Sequence, residues 1–277
     1  MLRRPFLDEP ISPLALWSAR LAWFALAVAA LSVIIVRSGL LDIGPAIATF
    51  GAALAFAAAA ILLALASFVA IWRTGAPGLG RALGGMLLGL VLLAYPAYLG
   101  LRASKLPEIN DITTDFANPP RFDVLTRLRP RDRVDYPARF AELQRKAYPD
   151  VVPLQVELPV RAAFDTARKV IDKRKWLVVD ARPPAGARRD GVIEAVARTT
   201  IMGFRDDVVV RVTPLRDGSR VDVRSASRYG FHDFGTNARR VVALLADIDD
   251  AASNVPDSAR DEPPTPKPQP KRQPAKR

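Results

Sequence analysis

The sequence predicts a region of three transmembrane helices followed by an α+β domain, an antiparallel sheet with two helices on one face. The first observation behind this is segregation. Between Ala15 and Leu101 the only charged residues are Arg20, Arg37, Asp42, Arg73 and Arg81, whereas charges recur every few residues from Arg102 onward. The second is a switch of apolar period past Val152, in the order strand, helix, four strands, helix. The chain has 277 residues, half of them apolar, which fits one or two domains. So uneven a distribution excludes a single water-soluble globule.

Residues 14–36, 44–72 and 82–101 are the three apolar runs, within a membrane region of residues 1–105. Each reaches the ~20 helical residues that a hydrocarbon core about 30 Å thick requires. Arg20 stands one turn inside the first run, where its side chain can reach back to the headgroups. Arg3 and Arg4 precede that run, and Ala27-Val28-Ala29 has the form of a cleavage site. The apolar stretch nevertheless continues to Val36, which favours a retained anchor over a signal peptide. Arg3, Arg4 and Arg20, with Arg73 and Arg81 in the second loop, stand against Arg37, Arg102, Lys105 and Arg121 on the other side. This bias favours an inside amino terminus. Three crossings then place the following domain in the periplasm of a bacterial cell whose inner membrane holds the helices.

Trp17, Trp23, Trp72, Tyr95 and Tyr98 lie toward helix ends, as interfacial anchors do. Small residues, with Gly80 and Gly84, Gly85 and Gly89, and Ala57 to Ala60, allow close helix packing. Packing within the chain is the first reading, and a homo-oligomer through the Gly85/Gly89 face is the second. No acid, histidine or lysine lies along the spans, so they read as an anchor rather than an ion path.

The domain is expected over residues 106–252. Pro107 to Tyr148 is proline-rich and carries Phe116, Phe122, Tyr136, Phe140 and Tyr148, so it should wrap onto the following domain rather than act as a linker. Its basic residues Arg127, Arg129, Arg131 and Arg133 are offset by Asp123, Asp132 and Asp135. A short helix is expected over 138–147. Residues 152–158 read as a strand, and Pro159 opens a helix over 160–174 with Val160, Phe164, Ala167 and Ile171 on one side. Strands follow at 176–181, 192–200, 207–214 and 220–227, the last two joined by Arg216-Asp217-Gly218-Ser219. A final helix over 236–251 shows Val241, Leu244, Leu245 and Ile248 as one stripe.

Period-two reading sorts the strands into faces. Glu194, Arg198, Arg211, Asp222, Arg224 and Arg228 all fall on the helix-free side. One reading is a solvated surface laced with cross-strand ion pairs. The other is an anion-binding surface of Arg211, Arg224 and Arg228, because guanidinium forks match carboxylate and phosphate.

Several chemistries drop out. The chain has no cysteine and a single histidine, His232, so disulfides, thiolate nucleophiles and transition-metal sites are not expected. Asp206 and Asp207 are adjacent on a strand and point to opposite faces, which argues against a metal pair. Asp233-Phe234-Gly235 spells a kinase triplet without the other kinase motifs, and Ser225 and Ser227 lack a nucleophile elbow. No phosphate or dinucleotide glycine fingerprint occurs, so no cofactor is expected. The net +12 is spread as +4, +5 and +3 over residues 1–104, 105–253 and 254–277. That pattern lacks the concentrated charge of a specific nucleic-acid binder.

The strings Asn110-Asp111-Ile112-Thr113-Thr114-Asp115, Ile193-Glu194-Ala195, Phe204-Arg205-Asp206-Asp207 and, above all, Arg224 to Arg240 resemble the domain of unknown function 1499 family. The resemblance runs from Asn110 to Asp250. Some bacterial members likewise have membrane helices ahead of the domain, and the family implies no agreed activity. In the block from Arg224 to Arg240, Asp233 or Thr236 can cap the last helix, while Gly230 and Gly235 suit turns. A sharper alternative joins Arg224, Arg228, Asn237, Asp206 and Asp207 into a polar cleft at one sheet edge.

The functional expectation is a non-catalytic binding or interaction module for an anionic ligand, lipid or envelope partner. Its candidate binding residues are Arg211, Arg224, Arg228, Asn237, Asp206, Asp207 and Glu194, with no catalytic or metal residues. The alternative is a carboxylate-dependent envelope enzyme using Glu194 with Asp206 or Asp207. The tail over 253–277, rich in Pro, Lys and Arg, is expected to be disordered.

Overall fold

The computed structural model describes residues 10–39, 43–128, 134–185 and 189–256. Arg129, Arg131 and Arg133, and the tail from residue 257, therefore lie outside the described residues. By its contacts the chain divides into a unit of residues 1–106 with 199–204 and a unit of residues 107–198 with 205–277.

The first unit holds α1 (Pro13–Ser38), α2 (Ile43–Thr74) and α3 (Leu79–Ala103), all long and apolar enough to cross a membrane. Pro13 suits the first turn of α1, where its missing N–H breaks no helical bond. Gly39 ends the helix with a left-handed φ of 69° and donates its N–H to the Ile35 carbonyl at 3.2 Å. The helices meet along small residues. Ala15, Ser18, Ala22, Ala25, Ala29 and Ser32 are buried on α1, and Ala53, Ala57, Ala60, Ala64 and Ser67 on α2. Such residues let backbones approach, since lipid itself provides no hydrophobic drive between helices. Ser18 Oγ donates to the Ala60 carbonyl at 2.8 Å across this seam. A Cβ on Gly85 would stand 2.2 Å from Ser18 Oγ, and one on Gly89 would stand 2.9 Å from the Ala57 carbonyl. The Gly85/Gly89 face thus packs against α1 and α2 within the chain.

Among the described residues the second unit is built on six antiparallel strands: β1 (Asp111–Thr113), β2 (Leu154–Val156), β3 (Leu177–Arg182), β4 (Gly191–Arg198), β5 (Arg205–Leu215) and β6 (Gly218–Ser227). Their order is β1-β6-β5-β4-β3, and β2 shares with β1 the outer edge of β6. The expected α+β architecture holds, with one strand more than the sequence indicates: β1 is too short to show a period. Helices α5 (Val160–Lys173) and α6 (Thr236–Ser253) cover one face, enclosing Ile193, Val208, Val210, Val212, Val221 and Val223.

The opposite face is not open. Phe122 and Leu125, from the extended segment after β1 and a 3-10 turn over Leu125–Leu128, close over Val196, Val209 and Ala226. The wrapping expected of the Pro107–Tyr148 stretch is therefore real. It converts the presumed solvated surface into a second, smaller core. Helix α4 (Phe140–Ala147) buries Phe140 and Gln144 in the same stretch.

The β5–β6 hairpin turns through Gly218, whose φ is 140° and whose absent Cβ would stand 2.3 Å from the Val156 carbonyl oxygen of β2. Gly218→Ala therefore meets both backbone strain and a clash with backbone. We expect a loss of about 2–3 kcal/mol. Urea unfolding of the full chain in detergent can follow it through Trp176, the one tryptophan outside the membrane helices.

Candidate functional site

The polar residues singled out from the sequence fall on both faces of the sheet, in accordance with side-chain alternation. On the helix-free face, Arg224 lies opposite Val209 and next to β1. It is 1% exposed and, among the described residues, is the largest fully buried side chain. Its Nε donates to Asp111 Oδ1 at 3.0 Å and its Nη2 to Asp111 Oδ2 at 2.7 Å, a bidentate fork. The remaining donors reach the carbonyls of Pro120 at 3.3 Å and Val134 at 3.1 Å, and the Phe122 ring lies 4.8 Å from the guanidinium carbon. One side chain thus ties β1, β6 and the wrapping segment together. Beside it, burial, reinforced by the Asp111 charge, pushes the Tyr136 phenol up, so it stays protonated and donates to Gln144 Oε1 at 3.2 Å.

Two further clusters occupy this face. Arg228 Nε donates to Asp207 Oδ1 at 2.8 Å, with both residues buried. Arg211 Nη2 donates to Asp115 Oδ2 and to Asp222 Oδ2, each at 3.1 Å, while Arg220 and Thr114 bind Asp222 Oδ1. Among the described residues, the arginine beside Glu194 is Arg182, whose Nη2 is 3.6 Å from Oε1, beyond hydrogen-bond distance. The Glu194 carboxylate instead accepts the backbone N–H groups of Asp123 at 2.8 Å, Val124 at 3.2 Å and Leu125 at 2.9 Å. These are donors that the start of a short helix leaves without intrahelical partners, so Glu194 caps the 3-10 turn from across the sheet.

On the helix-covered face, the start of α6 is held by a second network. Asn237 accepts from Ser225 Oγ at 2.7 Å and donates to Ser227 Oγ at 2.9 Å and to the Asn110 carbonyl at 3.2 Å. Arg240 donates to Asn237 Oδ1, to Ser225 Oγ at 3.0 Å and to Asp206 Oδ2 at 2.5 Å. Asp233 caps the helix, accepting from Gly235 N at 2.9 Å and Asn237 N at 2.7 Å. Burial pushes the Asp233 carboxyl up, opposed by those two N–H groups. His232 completes the corner: its Nδ1 accepts from Phe234 N at 2.8 Å and its ring stacks on Phe234. Phe234 and Gly235 both have positive φ, 53° and 70°.

This geometry corrects two expectations. Arg224, Arg228, Asn237, Asp206 and Asp207 do not line one cleft, because Asp206 and Asn237 face the helices while Asp207, Arg224 and Arg228 face the other side. Nor are Arg211, Arg224 and Arg228 displayed as a free anion-binding surface, since each is engaged by a carboxylate: Arg211 by Asp115 and Asp222, Arg224 by Asp111 and Arg228 by Asp207. The partners that decide this, Asp111, Asp115 and Arg240, are not among the candidate residues read from the sequence. Asp111 and Asp115 stand within the string 110–115, but only the pairing of β1 with β6 brings them to the arginines. Buried Gln144 takes the place of an apolar residue on α4. There it donates to the Thr113 carbonyl at 2.7 Å and accepts the Thr113 N–H at 3.0 Å.

Chemically, the arrangement pairs charges and binds chain segments to one another. Every string that carries the family resemblance contributes to it: 110–115 through Asp111 and Asp115, 193–195 through Glu194, 204–207 through both aspartates, and 224–240 through the arginines and Asn237. The family model described as "Protein of unknown function (DUF1499)" matches residues 111–248, from the partner of Arg224 to the last turns of α6. No curated protein matches the chain.

Proposed function

Because the chain belongs to the DUF1499 family, whose description names no activity, we propose a function from its charges: a membrane-tethered, non-catalytic interaction module that meets an anionic partner outside the cytoplasm. The observation that carries this is the internal consumption of charge. From Lys105 to Ser253 the chain has 27 Lys and Arg against 22 Asp and Glu. The paired networks take up Arg211, Arg220, Arg224, Arg228 and Arg240 together with Asp111, Asp115, Asp206, Asp207 and Asp222. The remaining 22 cations and 17 anions leave five net positive charges outside them. A partner therefore meets a basic exterior, while the buried arginines hold the fold. The carboxylate enzyme is less well supported: Glu194 is fully buried with both oxygens occupied, and Asp206 and Asp207 diverge.

Lys and Arg near the helix ends support a periplasmic domain of an inner-membrane protein. A pair of reporters fused after residue 252, one active only in the periplasm and one only in the cytoplasm, tests the side. Binding of poly-glutamate to the full chain in zwitterionic nanodiscs tests the charge, with affinity expected to fall as salt rises. Activity of the cytoplasmic reporter alone, or no poly-glutamate binding at low salt, would sink the proposal.

A further inference from the structure

Between α1 and α3 runs an open groove of about 860 Å³ whose polarity is ordered along the helices. The two helices start side by side, with Ser12 N donating to the Pro77 carbonyl at 2.9 Å, and they run in the same direction. Arg81 lines the groove two residues after the start of α3, and Arg20 seven residues after the start of α1. Arg20 sits about 10 Å along its helix, and its long side chain can reach back toward the helix start. Deeper in, the lining turns apolar with Trp23, Leu87, Leu88 and Val91. Val91 is ten residues beyond Arg81, about 15 Å along the axis, which is half of a hydrocarbon core about 30 Å thick.

Cations at the mouth and an apolar trough one leaflet deep have the polarity order of a phospholipid. Among the described residues no carboxylate pairs with Arg20 or Arg81, and the single acid between residues 10 and 101 is Asp42, beyond the far end of α1. Arg20 and Arg81 thus stand at one mouth of the groove close to the acyl region, and a negatively charged headgroup matches them, since guanidinium forks suit its phosphate.

We propose that this groove is a binding site for one anionic phospholipid, its phosphate held by Arg20 and Arg81 and an acyl chain laid along Trp23, Leu87 and Val91. Gly84 lets the chain lie close to α3. A Cβ at Gly84 meets nothing within 4 Å, whereas one at the neighbouring Gly85 would collide with Ser18. Gly84→Leu therefore places its side chain in the groove without disturbing helix packing, and it replaces glycine by a better helix former.

Native mass spectrometry of the detergent-solubilised full chain tests the site, with phosphatidylglycerol and phosphatidylcholine of identical acyl chains added in turn. One phosphatidylglycerol is expected to stay bound at collision energies that strip phosphatidylcholine, with at least tenfold greater retention. Both R20Q/R81Q and Gly84→Leu should erase that difference while the helical circular dichroism stays unchanged. Millimolar inorganic phosphate should not displace the lipid, because the acyl trough contributes to binding. Equal retention of the two lipids by the parent chain would overturn the proposal. So would undiminished retention in both variants, displacement by phosphate alone, or a dimer mass that Gly84→Leu abolishes, which would put a second copy in the groove.

Discussion

Arg224→Ala is expected to destabilise the domain by about 3–5 kcal/mol, because it removes the bidentate guanidinium partner of the buried Asp111 carboxylate. Asp111 is 4% exposed and Arg224 is 1% exposed, so water cannot take over the lost donors without opening the cover formed by Phe122 and the segment around Val134. The variant also removes the donors to Pro120 and Val134, and the wrapping segment should loosen first. For a domain of this size the change corresponds to a drop in Tm of about 10 °C. The measurement is urea or thermal unfolding of the full chain in detergent, read through Trp176. The double variant Arg224→Met with Asp111→Leu separates charge from packing. A buried pair costs much of its Coulomb gain in desolvation, so replacing both members should recover most of the lost stability. An Arg224→Ala protein as stable as the parent would mean that this guanidinium is available to a ligand, and the charge accounting behind the proposed function would be wrong.

The sequence shows the elements of this domain more clearly than their partners. The alternation of Val208, Val210 and Val212 with Asp207, Val209 and Arg211 assigns both sheet faces correctly, because burial imposes a period of two on each strand. The apolar stripe of α6 and the lengths of α1 to α3 are equally readable. The three-residue β1 is not, since its place is set by pairing with β6, more than a hundred residues away. Arg224, Arg228 and Glu194 stand out by residue type, and their type is informative: each needs a counter-charge or a set of donors. Nothing local says whether a ligand or the chain itself supplies it. That information lies in Asp111, in Asp207 and in the backbone of residues 123–125, which only the folded topology brings near.

Glu194 provides the second large effect. Glu194→Ala should cost about 3–5 kcal/mol, since three backbone N–H groups lose their acceptor at the start of the 3-10 turn and each unsatisfied buried donor costs about 1–3 kcal/mol. Some relaxation of Asp123 and Val124 toward water keeps the sum below its maximum, but Leu125 is fully buried and cannot move outward without exposing the core of Val196 and Val209. Glu194→Gln is the discriminating variant. Its amide keeps one oxygen acceptor and turns an N–H₂ donor toward donors, so an intermediate loss of about 1–3 kcal/mol follows. Hydrogen exchange of the amides of residues 123–125 should rise in the order parent, Gln, Ala. A catalytic carboxylate would behave differently: Glu194→Gln would leave exchange and Tm at the parent values while removing turnover. Graded loss of protection at those amides therefore assigns Glu194 to holding the wrapping segment on the sheet, the contact that closes the helix-free face.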